Sequence, residues 1–375
     1  MELSRFARKH TSHFASPAND YLALTPTSPR QTNIRVHLLD KEFKTISCDS
    51  DARVSELILV MAKKMNITHP EYFGIFEEWT RQNKVERKLL SEDNFVFDKK
   101  RKNKKLVFKC KIFRELHIIN ADEFSTHLYY IQTRENIVTG YYNAPLHIAL
   151  VLASTQMQIE FGPFLKEKHL PGFVLPRISD YFPPHLLKAN GASYLEKRLL
   201  ETYETTEPKS LVYLKKSYCL EAMKLAVFGC RFFSARRKKT RSIPDKVLIG
   251  VKSSGIVLAS EATKEFLRHW NFEKILRWGY THTAFCLQLR SLKQSSEGSI
   301  WEFHTSQGQS ISLLLNNYAK YILEDIEFLE NKWELGAEEA AIRIQAFWRG
   351  CELRKTLKKV KELLAAKVIA KNWRM

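Results

Sequence analysis

No apolar run in this 375-residue chain approaches the roughly 20 residues that span a bilayer, so a membrane-crossing helix is not expected. The first residues lack an apolar h-region, so a secretory signal is not expected either. Residue 2 is Glu2, which excludes N-myristoylation. The six cysteines, Cys48, Cys110, Cys219, Cys230, Cys286 and Cys351, are scattered and never form CxxC. They read as reduced thiols of a cytosolic protein, without zinc spacing. The chain has no P-loop, no GxGxxG, no GxSxG and no HExxH. Its twelve histidines do not converge, and single ones such as His147 or His269 are ordinary surface or core residues. An enzyme is therefore not expected, nor a cofactor or metal. RRM, KH and zinc-finger signatures are also missing, which disfavours nucleic acid as a partner.

What the chain has in excess is positive charge. Sixty Lys+Arg against 41 Asp+Glu give a formal net charge of +19. Such an excess favours an anionic partner: lipid head groups, acidic protein or, less expected, nucleic acid. Two runs concentrate it. Lys99-Lys100-Arg101-Lys102-Asn103-Lys104-Lys105 is one, and Arg236-Arg237-Lys238-Lys239-Thr240-Arg241 is the other. Clusters of four or more Lys/Arg are the usual signature of attraction to anionic lipid. Both runs are candidate lipid-binding sites, and two solvated loops are the alternative.

With 44% hydrophobic and 12% aromatic residues, most of the chain should pack into two or three globular units. Residues 1–32 are rich in Ser, Thr, Pro, Asn and His without periodicity and read as a disordered tail. Within it, Thr25-Pro26 and Ser28-Pro29 are candidate proline-directed phosphorylation sites. From Asn33 the pattern alternates through Ile34, Val36 and Leu38, turns at Asp40-Lys41, and resumes at Phe43, Thr45 and Ile46, which predicts a hairpin. Asp51 is placed to cap a helix. That helix buries Val54, Leu57, Ile58, Met61, Ala62 and Met65. Strands at Tyr72–Phe76 and Leu106–Ile112 complete a ubiquitin-like roll over residues 33–114.

Residues 115–216 read as helical. Glu123–Asn136, Ser193–Tyr203 and Glu207–Ala226 surround Pro145–Ile159, which is apolar on most sides and should be a buried central helix. Residues 217–328 then turn to strands around Val247–Val251, Ile256–Leu258, Phe266–Trp270, Ala284–Leu289 and Ile300–Phe303. A closing helix begins near Gln309, with Ile311, Leu314, Leu315, Tyr318 and Ile322 at helical spacing. Strands closed by one helix predict a pleckstrin-homology-like sandwich.

Beyond that unit, residues 329–336 read as a linker and 337–375 as a further helix. No proline occurs from Gln309 to Asn372, and only Gly336 and Gly350 interrupt the helical pattern. Within it, Ile344-Gln345-Ala346-Phe347-Trp348-Arg349-Gly350-Cys351-Glu352-Leu353-Arg354 spells IQxxxRGxxxR. At ~100° per residue, Ile344, Phe347, Trp348 and Cys351 form one apolar stripe on an otherwise cationic helix. An acidic EF-hand protein with an apolar groove is the natural complement. A degenerate copy aligns Ala365–Arg374 with Ala340–Arg349, with the anchor at Ile369, about 37 Å further on if helical.

The pattern at 344–354 resembles the IQ motif gripped by calmodulin and myosin light chains. The resemblance implies Ile344 as apolar anchor and Gln345 bonding to the backbone of the gripping lobe. Arg349 and Arg354 would meet its carboxylates, and Gly350 would admit the second lobe. IQ motifs of this complete form often bind calmodulin without Ca²⁺. The order of roll, bundle and sandwich resembles a FERM domain, closest to those of myosin tails and talin. Leu128-Tyr129-Tyr130-Ile131-Gln132, Gly140-Tyr141-Tyr142 and Gln156–Gly162 carry the resemblance in the middle lobe. Phe228–Phe233, Leu248–Val251 and Phe272–Trp278 carry it in the third. It implies a three-lobed α+β multidomain fold followed by an extended IQ helix. It also implies a peptide groove bordered by Ile275, Leu276, Arg277, Leu314, Asn317, Tyr318 and Tyr321. The expectation is a membrane–cytoskeleton adaptor, cytoplasmic and peripheral on the inner face of a membrane or on the cytoskeleton. Its partners would be acidic phospholipids, including phosphoinositides, the cytoplasmic tail of a membrane protein or a cytoskeletal protein, and calmodulin or an EF-hand light chain. The alternative is a scaffold whose basic tail docks on its own FERM body. The motif's place differs from that in a myosin, where IQ segments precede the tail, and no motor or MyTH4 domain is seen.

Overall fold

The computed structural model describes residues 31–81, 84–98, 104–237, 242–290 and 299–334, with side chains described through residue 324. The first lobe is a five-stranded sheet in the order β2-β1-β5-β3-β4, crossed by one helix. Its elements are β1 (Gln31–His37), β2 (Phe43–Asp49), α1 (Val54–Lys64), β3 (Phe73–Arg81), β4 (Lys84–Leu89) and β5 (Lys105–Cys110). The expected hairpin pairs Ile34 with Ile46 and Val36 with Lys44, and places Val36 and Ile46 in the core. Because β1 begins at Gln31, residues 31–32 belong to the sheet and not to the tail. Asp51 does not cap α1. The N-cap is Arg53, whose N–H donates to the Glu56 carboxylate at 3.0 Å. Strand β4, KVERKL, lies at the sheet edge, where charged residues suit solvent; without a clean apolar alternation it gave no signal of its own.

The second lobe comprises α2 (Glu115–Asn120), α3 (Glu123–Val138), α4 (Leu146–Phe161), α5 (Pro184–Asn190), α6 (Ala192–Glu204) and α7 (Leu211–Ala222). Helix α4 packs against both α6 and α7, and α3 also packs on α7. Burying most of its circumference explains why α4 is apolar nearly all round. Helix α7 is shorter than the expected Glu207–Ala226. Its N-cap Ser210 is extended, and the chain leaves the helix at Met223.

The third lobe is a seven-stranded sheet in the order β10-β11-β12-β6-β7-β8-β9. Its strands are β6 (Arg231–Arg236), β7 (Lys246–Lys252), β8 (Gly255–Ser260), β9 (Phe266–Asn271), β10 (Ile275–Tyr280), β11 (Ala284–Leu289) and β12 (Ile300–His304). Helix α8 (Gly308–Glu334) closes the lobe through Ile311, Leu314, Leu315 and Tyr318. It runs through residues 329–334, where the sequence pattern suggested a linker. The β7–β8 turn needs its glycine. Gly255 has φ +135°, and a Cβ there would sit 2.1 Å from the Trp270 carbonyl oxygen.

The lobes are joined by polar contacts as well as by a continuous core. Gln132 of α3 clasps the Cys110 backbone of β5, accepting its N–H at 2.9 Å and donating to its carbonyl at 3.1 Å. Arg87 of β4 forks onto Glu135 of α3 at 2.6 and 2.8 Å and also reaches Glu78 at 2.7 Å. Asp122 caps α3 and accepts the Thr68 N–H of lobe one at 3.1 Å. Between lobes two and three, the Phe232 N–H donates to the Tyr141 hydroxyl at 2.9 Å.

Candidate functional site

Lobe three leaves one sheet edge open beside a helix. Strand β10 ends the seven-stranded order, so among the described residues one side of its backbone has no strand partner. A bulge between Ile275 and Arg277 twists it there. The first turns of α8 lie alongside. The Trp278 indole N–H donates to the Asn316 side-chain oxygen at 3.2 Å. Gly308 permits the helix start to come this close, since a Cβ there would lie 2.8 Å from the Tyr280 Cβ. The rim carries exposed apolar groups: Leu276 is 52%, Tyr280 50% and Leu313 56% exposed.

The residues expected to border this groove divide into three sets. Leu276, Arg277 and Asn317 are exposed and available. The Arg277 guanidinium donates to Gln288 at 2.5 Å, which lays it across β11. Ile275 and Leu314 are buried and belong to the core. Tyr318 and Tyr321, expected on the groove, turn away from it toward lobe one. Tyr318 is 2% exposed, and its hydroxyl accepts the Phe113 N–H at 3.2 Å. Tyr321 packs on Tyr72 at 5.4 Å and under the Arg114 guanidinium at 5.3 Å. Both serve the junction of α8 with lobe one, because that face of the helix turns away from β10. Asn316, Leu313 and Tyr280, which the sequence reading missed, stand in their place. The phase of α8 carried the signal: with 311, 314, 315 and 318 buried, positions 313 and 316 must face outward.

The two cationic runs are described only in part. Lys99, Lys100, Arg101 and Lys102 lie outside the described residues, as do Lys238, Lys239 and Arg241. Lys104 is committed to its own lobe, bonded to Glu77 at 2.8 Å and set over the Trp79 ring at 5.1 Å. Lys105 and Arg236 are exposed. Arg237 is half-buried, with its guanidinium 4.0 Å from the centre of the Trp301 indole. Ile344, Gln345, Phe347, Trp348, Arg349, Gly350 and Arg354 all lie outside the described residues, and so do the extended helix and second copy expected around them.

The seam between lobes one and two holds the most perturbed histidine. His117 is buried against Tyr72 and His69, with Nδ1 2.8 Å from the Tyr129 hydroxyl. Burial, reinforced by His69, pulls its pKa from 6.5 down to about 4. The folded state thus binds this proton more weakly than the unfolded chain. Its contribution is present above about 6.5 and is lost as pH falls toward 4. Urea midpoints measured at pH 7 and pH 4.5 should fall more for the wild type than for His117→Asn. Equal falls would show that other groups carry the acid sensitivity.

Four family models match the chain. They are an RA like domain over residues 30–107, a FERM central domain over 119–233, a PTB domain of the IRS-1 type over 233–323, and an IQ calmodulin-binding motif over 338–358. Talin-2 of Mus musculus is 25% identical over 348 residues, covering 84% of this chain and 14% of the talin. The chain thus spans about one seventh of the length of that relative. Among solved structures, the human Myosin 7b C-terminal MyTH4-FERM domain, in complex with the harmonin-a PDZ3 domain, superposes with a TM-score of 0.62 at 20% identity. It covers 78% of this chain and 60% of that one. The FERM domain of Drosophila Merlin, in complex with its C-terminal domain, gives 0.62 at 18% identity, over 79% of this chain and 98% of that one. Three lobes in this order, an open strand–helix edge on the third and a matching motif beyond its helix make this chain a FERM-domain protein with an IQ motif.

Proposed function

We propose that the chain is a non-enzymatic adaptor between a membrane face and the cytoskeleton, carrying an EF-hand protein on its IQ motif. The observation that carries this reading is the continuity of α8. The helix that borders the β10 groove runs on to Glu334, four residues before the IQ match begins at residue 338. The groove lies along the first turns of that helix, so a partner on the motif would bind beyond its far end, with the helix as the rigid element through which it would bias what enters the groove. The groove suits an extended protein tail that adds as a strand on β10, with main-chain bonds giving affinity and the Leu276, Tyr280 and Leu313 rim giving choice. The cations of 99–105 and 236–241 supply attraction to acidic phospholipid, worth about 1 kcal/mol per residue near the surface. The motif takes calmodulin or an EF-hand light chain through Ile344, Gln345, Phe347, Trp348, Arg349, Gly350 and Arg354. Among the described residues no helix is long and apolar enough to cross a membrane, so attachment in this reading is peripheral.

Flotation of phosphoinositide-bearing vesicles tests the whole reading. The full chain should carry Ca²⁺-free calmodulin to the floating fraction, and Arg236→Glu/Arg237→Glu should reduce flotation while leaving calmodulin binding intact. A chain that binds calmodulin but stays in the pellet with phosphoinositide and plain vesicles alike would end the membrane half of the proposal.

A further inference from the structure

The strands of lobe three curl until the β9 end of the order meets β12. The indoles of Trp270 on β9 and Trp301 on β12 meet edge to face at 4.7 Å. Two guanidiniums lie over Trp301. That of Arg237, just past β6, is 4.0 Å from the ring centre, and that of Arg268 on β9 is 5.6 Å from it. Arg237 is half-buried and Arg268 is exposed. Among the described residues neither guanidinium has a carboxylate partner; their contacts are with the ring. Burial and the like charge of Arg268 both pull Arg237 below its ordinary value. A ring face between two cations does not remove their repulsion, whereas a phosphate takes both forks at once.

The loop that leaves Arg237 carries a residue able to hold such a group covalently. The Arg237 N–H donates to the Asp245 carbonyl at 2.8 Å, so the β6–β7 connection closes at that pair. Ser242 lies in a turn three residues before Asp245, and its side chain is exposed while the next residue, Ile243, is buried. At about 3.3–3.6 Å per residue, Ser242 lies within roughly 10 Å of the closure, which an arginine and a phosphoserine side chain can bridge between them. The residues before it are Arg236, Arg237, Lys238, Lys239, Thr240 and Arg241, which set cations one and three positions ahead of the hydroxyl. Kinases that choose substrates by charge pattern pair their own carboxylates with such cations. An exposed serine in a turn behind a cationic run meets both needs, access and charge.

We propose that Ser242 is a phosphorylation site for a basophilic Ser/Thr kinase, and that its phosphate pairs with Arg237 and Arg268 beside Trp301. In the transfer, the Ser242 Oγ forms a bond to the γ-phosphorus of ATP as the bond from that phosphorus to the bridging oxygen of ADP breaks. The hydroxyl proton leaves through the base of the kinase. The product brings about −1.5 to −2 charges into a run of five cations and draws Arg237 out of it. Phosphorylation therefore switches off the attraction of 236–241 for acidic phospholipid. That consequence rests on the lipid-binding reading above; the modification and the pairing do not.

The test treats the full chain with ATP and the catalytic fragment of protein kinase C or of cAMP-dependent protein kinase, both of which select cations ahead of the acceptor. Ser242→Ala, Thr240→Ala and Arg268→Gln are treated in parallel. Ser242→Ala and Arg268→Gln change exposed side chains, so both should melt with the wild type. Mass spectrometry should find phosphate on Ser242 in the wild type, Thr240→Ala and Arg268→Gln. Followed by phosphorus NMR, the second ionisation of the phosphate should fall below the value of about 6 for a free phosphoserine. In Arg268→Gln it should return toward that value. Affinity for phosphoinositide-bearing vesicles should drop at least tenfold on phosphorylation of the wild type and stay unchanged for treated Ser242→Ala. A native chain that neither kinase modifies at Ser242, or that carries phosphate on Thr240 alone, overturns the site. A wild-type phosphate that titrates as free overturns the pairing, and loss of flotation by unmodified Arg268→Gln would then give the arginines to the lipid. If the unmodified wild type does not float at all, the lipid-binding reading fails, and the modified position and the titration still decide the site.

Discussion

Replacing Gln132 by leucine should destabilise the protein by about 2–5 kcal/mol, a large loss for a single side chain of similar size. The side chain is buried, and both ends of its amide are spent on one residue of the neighbouring lobe. Leucine keeps the volume but leaves the Cys110 N–H and carbonyl without these partners in a dry seam. Each such group costs about 1–3 kcal/mol when orphaned. The surrounding contacts do not replace it: Cys110 Sγ is engaged with the Ile112 carbonyl at 2.9 Å. Thermal unfolding is the direct measurement, with Gln309→Leu on the exposed face of α8 as a control that should change little. Limited proteolysis should also cut the variant faster between lobes one and two. If Gln132→Leu melts with the wild type, the clasp does not hold the lobes together.

Ile344→Ala combined with Arg349→Ala should abolish binding of calmodulin in chelator and weaken it strongly with Ca²⁺. The first change removes an apolar anchor, worth about 2–3 kcal/mol if it is buried on binding. The second removes a charge-assisted contact of about 1.5–3 kcal/mol. Together they amount to roughly a thousandfold in affinity. Calorimetric titration of calmodulin into the full chain, in both buffers, reads this directly. Binding by the wild type and loss in the double variant would establish the EF-hand site. A wild type that binds in neither buffer would remove calmodulin from the functional proposal. The basic segment would then be read as docking on the FERM body itself.

The amino-acid pattern alone determined the parts of this protein that repeat on a short period. Alternation through Ile34, Val36 and Ile46, the stripe Val54–Met65, the all-round apolar α4 and the spacing of Ile311, Leu314, Leu315 and Tyr318 each follow from one element burying one face. The IQ pattern is likewise local, one helix's worth of residue types. The tertiary structure decided what two distant segments do to each other. Tyr318 could not be assigned to the Phe113 backbone, 205 residues away, from a helical phase that shows only that it is buried. Nor could the phase show that Tyr321 would face Tyr72 while Asn316 faces Trp278. The Gln132 clasp likewise arises only where lobe two closes on lobe one. Periodicity reports how an element meets its own core. The partner it meets across an interface is set by the packing of whole lobes, whose contacts leave no repeat in the chain.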